Sequence, residues 1–554
     1  MPSPVTITFL GGLGDIGRNC AAIETDDALL ILDCGQLFAG EDRPGVDSIL
    51  PDYDYLLDRA DKIVGCITTH GHEDHIGGLA PILERGLSFP IHGSPFTLGM
   101  VKHRLDERDL LRKVEFHEAA DHERHKIGPF DVEFLPVTHS VPGGLISAIG
   151  TPQGVVLHSS DFKLDLHPVD GRRTDLARIG AIAQDPGVRV LLADSTNSEV
   201  PGYTKSESEI GGELRRVFAQ HRDRRLICAA FSSHIHRVQQ IADAALADGR
   251  KIATIGMSMK RNVGLARQLN ILRIPDASII DIADAIDYAP HEMCVITTGS
   301  QGEARAALAQ AAAGRSRWLE IGDTDTVVLS SSPIPGNEAK VSNVINKLIA
   351  RGAKVAHNSE FAIHTSGHGK RDELTMLHSV ATPEYFVPVH GEIRHLQAHA
   401  GLARSLGMAD DHVLEAVDGD QIVMTDDGVT VNHKVTSGVH MLVHGPFIGA
   451  DTDVVNERIV LGDGGFVSVS VVIEGDELIA PPHVESRGWL AAEDLVDLHY
   501  DIERLVAKAV RQDLAAGVTK PGELRRRVRR VTGQFVSDET DRRPAIIPVV
   551  INLD

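Results

Sequence analysis

Thr68-Thr-His70-Gly-His72-Glu-Asp74-His75-Ile-Gly-Gly78 begins where an apolar, strand-like run over 62–69 runs out. Four residues of metal-ligand type, His70, His72, Asp74 and His75, fall within six positions. Imidazole nitrogen suits zinc or a similar first-row ion, and a carboxylate adds charge neutralisation. On an extended loop His70 and His72 point the same way, whereas Asp74 and His75 fall on the turn that opens a helix and project elsewhere. One short segment can thus feed two adjacent ions. A merely solvated histidine-rich loop would need no partners, and here partners exist. His139 stands in Pro136-Val-Thr-His-Ser140, Asp161 in His158-Ser-Ser-Asp-Phe162 and His390 in Pro388-Val-His-Gly-Glu392, each after a strand pattern.

Outward from this segment, residues 1–205 read as short strands and turns with few long helices. Strands are predicted over 5–10, 21–24, 28–32, 132–137 and 154–159. Gly12-Leu-Gly-Asp-Ile-Gly17 matches a dinucleotide-binding pattern, but two strands follow it where that fold needs a helix. Its glycines instead suit a tight turn near the active site. Residues 206–352 change texture. Helices over 208–219, 235–248, 303–313 and 341–351 alternate with strands over 225–230, 252–257, 293–298 and 326–329, the signature of a parallel sheet with flanking helices. Residues 353–436 return to strands, polar loops and one helix over 396–406, so the first domain is expected to be interrupted by the second. A linker over 437–455 then leads to a small α+β domain over 456–554, with a strand over 465–474, a helix over 492–516 and a last strand over 546–553.

Three further motifs lie around the interruption. Leu192-Ala-Asp194-Ser-Thr-Asn197 precedes it, and His364-Thr-Ser-Gly-His368 and then His390 follow it. With Phe231-Ser-Ser-His-Ile-His236-Arg-Val-Gln239, Thr297-Thr-Gly-Ser-Gln-Gly302 and the opening Gly11-Gly-Leu-Gly-Asp-Ile-Gly17, this order resembles the ribonuclease J family, in the β-CASP group of the metallo-β-lactamase superfamily. The resemblance runs from about residue 5 to 440, and the terminal domain is compatible in size and position. It implies an α/β fold: a metallo-β-lactamase αββα sandwich with an inserted β-CASP α/β domain and a small C-terminal α+β domain. It also implies two divalent metal ions per subunit, zinc or manganese. His70, His72 and His139 would hold the first, Asp74, His75 and His390 the second, and Asp161 would bridge them. Asp33, in Leu32-Asp-Cys-Gly35, would orient a ligand histidine and fix its tautomer.

The implied activity is metal-dependent hydrolysis of RNA phosphodiester bonds. It would run 5′→3′ as an exonuclease favouring 5′-monophosphate ends, with some endonuclease activity, in ribosomal RNA maturation and messenger RNA decay. By the same resemblance Asp194 is the proton donor and His368 an acid–base partner that also contacts the scissile phosphate, two roles that are exchangeable at this stage. Ser233, His234, His236, His364, Thr365, Ser366 and Gly367 are candidate phosphate contacts, because hydroxyls, imidazoles and backbone N–H groups in glycine-containing turns suit anions. Single-stranded RNA, a second copy in a homodimer or homotetramer, and members of an RNA-degradation complex are the expected partners. A small-substrate hydrolase would explain the first motifs but not the insertion or His364 to His368, and a non-catalytic scaffold would not need all these ligands.

Composition fits a cytoplasmic globular protein. At 554 residues the chain has length for about three or four domains. Hydrophobic residues make up 42% and charged residues 24%. No run approaches the roughly 18 apolar residues of a membrane span, and residues 1–10 lack the pattern of a secretory signal. The five cysteines are scattered and form no C-x-x-C pair, which favours a reducing compartment. A net charge of −23 argues against coating nucleic acid through the general surface and leaves only a locally positive groove for it. Arg525-Arg-Arg-Val-Arg-Arg530 would spread over most of a helix circumference, as a solvated face; assembly of subunits is the preferred role of its domain.

Overall fold

Strands whose residues are buried on both faces need cover on both sides, and the apolar runs Val5–Gly11, Leu29–Leu32 and Tyr385–Val389 are of that kind. In a computed structural model, residues 2–40, 42–334, 337–358, 360–433, 435, 438–442, 447–448 and 453–553 are described. The chain divides into two compact units, one of residues 1–38 and 48–440 and one of residues 39–47 and 441–554.

The first unit contains an αββα sandwich. One sheet has eight strands, in the order Gly428–His433, Asp420–Thr425, Val5–Gly11, Cys20–Glu24, Leu29–Leu32, Ile63–Ile67, Ile91–Gly93 and Phe116–Glu118. The other has six, from Arg124–Ile127 through Phe130–Pro136, Leu145–Thr151, Gly154–His158 and Val188–Asp194 to Tyr385–Val389. Val5, Ile7, Ile23 and Leu30 of the first sheet meet Phe130, Phe134, Ile149 and Val387 of the second in one apolar core. Helices Leu176–Gln184, Arg371–Ala381 and Ile393–Ser405 close the outer face of the six-stranded sheet through Ile179, Leu374, Leu377 and Ala400. Helix Pro95–Asp106 packs on Ile91–Gly93 and Phe116–Glu118.

The chain leaves the six-stranded sheet after Val188–Asp194 and returns to it at Tyr385–Val389, which pairs in parallel with Val188–Asp194. The excursion forms an all-parallel six-stranded sheet: Ile279–Ile280, Lys251–Ile255, Met293–Thr297, Arg225–Ala229, Asp325–Leu329 and Lys354–Ala356. Its period-two side chains feed two cores. Leu226 and Cys228 point to one side with Ile241 and Val263, and Ile227 and Ala229 to the other with Leu308 and Leu348.

In the second unit, Phe466–Glu474 pairs antiparallel with His483–Arg487 and in parallel with Ala545–Asn552. Val467, Val469, Val471 and Ile473 face Ile502, Val506 and Val510 of helix Ala492–Ala515 and Leu524 and Val528 of helix Pro521–Thr540.

Two local expectations need correction. The segment 353–436 holds a second helix, Arg371–Ala381, which its His, Glu and Asp content disguised as polar loop; Leu374, Leu377, His378 and Ala381 nevertheless give it a buried face at helical spacing. The helix expected over 303–313 is only Ala307–Ala312, because Gly302 takes φ +76° and Glu303 opens a turn that closes on Ala306. The arginine run lies on helix Pro521–Thr540 as a solvated, partly ion-paired face: Arg525, Arg526, Arg529 and Arg530 are exposed, while Arg527 is half-buried with its Nε 3.6 Å from Asp513 Oδ1. The linker read over 437–455 falls partly outside the described residues; within it Val439–Leu442 and Phe447–Ile448 are strands, and helix Asp453–Gly464 begins.

Candidate metal centre

Strand Ile63–Ile67 ends at the edge of the sandwich; the chain then bends at His70 and Gly71, and His72 is extended at the start of the four-residue helix Glu73–Ile76. His139 follows Phe130–Pro136, Asp161 follows Gly154–His158, and His390 follows Tyr385–Val389. The two sheets thus deliver all these side chains to one place. Ligand atoms of His70, His72, His139 and Asp161 lie within 4.8 Å of one another, and so do those of Asp74, His75, Asp161 and His390. Asp161 Oδ2 is common to both groups, 3.5 Å from His70 Nε2, 3.8 Å from His139 Nε2, 3.3 Å from His75 Nε2 and 3.5 Å from His390 Nε2.

The donor set fits cations. His72 Nδ1 is 3.1 Å from His70 Nε2 and 3.2 Å from His139 Nε2. Burial pushes all three imidazoles below their ordinary pKa, His72 to about 4. Neutral rings converging this closely cannot all be satisfied by each other's protons. Among the described residues, buried His390 Nε2 has no hydrogen-bond partner. A divalent ion in each group would accept these lone pairs. In the second group, burial opposes charge on His75 but Asp161, Asp74 and Asp33 outweigh it and raise its pKa well above normal. Asp161 is held well below the carboxylate range, against its burial, by His390, His75 and His70.

The ligands are oriented from behind. Asp33, 1% exposed and at φ +57°, accepts from Thr69 N–H and Thr69 Oγ1, both at 2.8 Å, and lies 2.7 Å from His75 Nδ1. It therefore holds the Nδ1 proton of His75 and aims Nε2 at the ligand group, 3.3 Å from Asp161 Oδ2 and 3.5 Å from Asp74 Oδ2. Gly367 O does the same for His139, 2.8 Å from its Nδ1. Asp33, Ser160 and His390 all have left-handed backbones, the strain expected where a site overrides local preference. Gly35 allows the ligand loop to lie against it: a Cβ there would sit 1.7 Å from the Asp74 carbonyl oxygen. Gly35→Ala is expected to cost about 1–3 kcal/mol or more, since backbone rather than a side chain must yield. Thermal unfolding and bound metal should both fall; unchanged metal content would contradict this placement.

Beside the groups, His368 Nδ1 is 2.7 Å from Asp194 Oδ2, and His368 Nε2 is 3.9 Å from Asp161 Oδ2. Asp194 ends strand Val188–Asp194, and its other oxygen accepts from Thr196 N–H at 2.9 Å and Thr196 Oγ1 at 2.7 Å. Burial disfavours charge on His368, yet Asp194 and Asp161 raise it to about 9. Asp194 is lowered in turn, against burial, by His368.

The candidate phosphate contacts divide. Ser366 Oγ accepts from Asn197 Nδ2 at 2.9 Å and from the His368 N–H at 3.1 Å, which shapes the turn carrying His368, and Thr365 Oγ1 donates to Lys205 O, which ties that segment to the start of the insertion. His234 is 3% exposed with Nε2 3.4 Å from Glu207 Oε1. His364 is half-buried, and burial lowers it to about 3. Ser233 is half-buried. His236 lines a narrow cavity with His139, Gly143, Arg172 and Glu207, which ties it to the metal centre. Among the described residues, no hydrogen bond or ion pair joins Ser233, His234 or His364 to the ligand groups.

Asn19, Thr69, Glu207 and Arg237 are parts of this region that the sequence motifs did not single out as site residues. Asn19 stands two positions beyond the glycine-rich turn, and Thr69 directly precedes His70, so proximity in sequence to a ligand motif was the available signal. Glu207 had none: its partner Arg237 is 30 positions away.

Comparison with known proteins covers most of the chain. A family model for the ribonuclease J β-CASP domain matches residues 223–348, and one for the ribonuclease J C-terminal domain matches 453–553. A β-lactamase superfamily domain matches 32–182 and a Zn-dependent metallo-hydrolase RNA specificity domain 352–413. The chain is 41% identical to ribonuclease J of Mycolicibacterium smegmatis, covering 100% of this chain and 98% of that one. It is 40% identical to ribonuclease J of Mycobacterium tuberculosis, over 100% and 99%. To ribonuclease J 1 of Streptococcus pyogenes it is 35% identical, over 100% and 98%. A crystal structure of a protein of unknown function from Enterococcus faecalis superposes with a TM-score of 0.53 at 15% identity, over 76% of this chain and 100% of that one, a likeness of fold alone.

Proposed function

The chain belongs to the ribonuclease J family and is a metal-dependent ribonuclease, and from that premise we propose that it degrades single-stranded RNA from the 5′ end at a two-ion centre. The observation that carries the two-ion reading is Asp161, whose Oδ2 belongs to both ligand groups. His70, His72 and His139 would hold one ion and Asp74, His75 and His390 the other, zinc first and manganese as the alternative. The ions would supply Lewis acidity toward the attacking water and the phosphoryl oxygens.

The protein's own groups do the rest. Asp194 Oδ2 fixes the His368 ring through Nδ1 at 2.7 Å, which leaves His368 Nε2 facing the ligand groups, 3.9 Å from Asp161 Oδ2. We therefore assign proton donation toward the leaving oxygen to His368 and its orientation to Asp194. His236, in the cavity shared with His139, is the best placed of the proposed phosphate contacts. Residues 1–205 with 353–436, 206–352 and 456–554 are the proposed domains. The terminal domain is assigned to assembly as a homodimer or homotetramer, because Ile547, Val549, Ile551 and Leu553 are exposed along its last strand and just beyond it. The five buried, unbridged thiols suit the cytoplasm. No helix among the described residues is long and apolar enough to cross a membrane. RNA maturation and decay, within a larger RNA-degradation complex, is the proposed setting.

RNA labelled at its 3′ end and carrying a 5′-monophosphate or a 5′-triphosphate tests the polarity. Progressive shortening from the 5′ end, faster on the monophosphate, is expected. Internal cuts at equal rates on both substrates would replace the exonuclease with an endonuclease.

A further inference from the structure

We propose that Asn19, just beyond the glycine-rich turn, is the positioning residue of the second ligand group, holding His390 and the Asp74–His75 turn in place; the proposal rests on the two-ion reading above. Three remote segments meet at this one side chain. Asn19 Oδ1 lies 2.9 Å from His390 Nδ1, and its Nδ2 donates to the Asp74 carbonyl at 3.0 Å and lies 3.1 Å from His75 Nε2. Its backbone N–H donates to the same Asp74 carbonyl at 2.9 Å.

An amide oxygen only accepts, so His390 carries its proton on Nδ1 and presents a bare Nε2. That atom is the buried, partnerless nitrogen, 3.5 Å from Asp161 Oδ2 and 3.9 Å from Asp74 Oδ2. The first group is braced differently. His70 Nδ1 meets the Thr69 hydroxyl at 3.1 Å, and His139 Nδ1 meets Gly367 O at 2.8 Å. Among the described residues, no hydrogen bond joins Asn19 to His70, His72 or His139.

The glycine-rich turn serves this placement. At Gly12, φ is +100°, and a Cβ there would lie 2.5 Å from Asn19 Oδ1. Leu13–Gly14 pairs in parallel with Gly391–Glu392, the two residues directly after His390. Asp418 pins the turn at both ends, accepting from Leu13 N–H and from Arg18 Nη2, each at 3.0 Å. The motif that imitates a dinucleotide site is thus a clamp that carries an amide to one histidine.

The test compares the full-length wild type with Asn19→Ala, Asn19→Asp and His390→Ala, each loaded with zinc. Bound metal per chain and the affinity of each ion against a chromophoric chelator are read. The wild type should hold two ions and His390→Ala one. Asn19→Ala should bind one ion with wild-type affinity and the other about 10–100-fold more weakly. Asn19→Asp keeps an acceptor for His390 Nδ1 and should recover part of that loss. If Asn19→Ala keeps both affinities while His390→Ala loses an ion, or if both ions weaken together with the melting temperature, Asn19 does not act on the second group and the proposal is overturned. A wild type with fewer than two ions, or a His390→Ala chain that keeps two, would overturn the two-ion reading, and the proposal with it.

Discussion

Asp194→Ala is expected to lower kcat for RNA hydrolysis by ~10²–10⁴-fold, the usual worth of a positioned acid–base group. His368→Ala should cost about as much, and the double variant little more than either. The 2.7 Å contact between Asp194 Oδ2 and His368 Nδ1 makes the two one device, and groups that act as a unit are far from additive. In either single variant the remaining partner is misplaced: His368 without Asp194 loses the main group that raises it to about 9, and Asp194 without His368 loses the main group that lowers it. Single-turnover rates for the four proteins, with metal content measured alongside, decide the matter. Metal content should stay at the wild-type level. Loss of an ion from Asp194→Ala would make Asp194 a ligand, a role its distance to the Asp161–His368–His390 cluster also permits.

The second large effect concerns stability. Glu207 and Arg237 are 6% and 0% exposed and joined by a two-point ion pair at 2.7 and 2.9 Å. Arg237 Nη1 also donates to Ser330 O, Ser330 Oγ and Ile363 O, each at 2.8 Å. Four segments of the inserted region and its exit therefore hang on one guanidinium. Glu207→Gln, which strands that charge, is expected to cost about 3–5 kcal/mol, and Arg237→Met a similar amount; the double replacement by apolar residues should cost less than the sum. Burial opposes ionisation of Glu207, but His234 and Arg237 hold its carboxyl well below the usual range. A carboxyl depressed on folding adds stability that is full above its unfolded pKa, about 4, and is lost as the pH falls through the folded value. The wild type should therefore weaken in acid below about pH 4, and Glu207→Gln should show a flatter acid limb in denaturant melts at a series of pH values. Parallel limbs would contradict the assignment.

Much of this architecture was legible because the information is local. Strand Ile63–Ile67 hands its chain straight to His70, His72, Asp74 and His75, so pattern and ligands occupy neighbouring positions. The parallel sheet of the insertion announced itself through alternating apolar strands and helical periodicity. What stayed hidden depends on contacts across the chain. Asn19 reaches His390 over 371 positions, and no spacing rule encodes that bond. Glu207 lacks any motif and gains its meaning only from Arg237. The Thr365 hydroxyl resembled an anion donor, yet it donates to the Lys205 carbonyl 160 positions away: residue type alone does not say whether a hydroxyl faces a ligand or a distant stretch of backbone. Helix Arg371–Ala381 was masked because two of its polar residues, Glu373 and His378, stand on its buried face and interrupt the apolar spacing.

The central claim is that one carboxylate shared by two ligand groups makes this chain a ribonuclease. Its most direct test is hydrolysis of a 5′-monophosphorylated single-stranded RNA by the wild type and by Asp161→Asn, each with zinc or manganese and each with excess chelator. Rapid shortening by the wild type is expected, with none in chelator and a loss of at least about 10³-fold in Asp161→Asn at unchanged melting temperature, on the scale of removing several kcal/mol of transition-state stabilisation. Cleavage that persists in chelator, or an Asp161→Asn protein as active as the wild type, would contradict it.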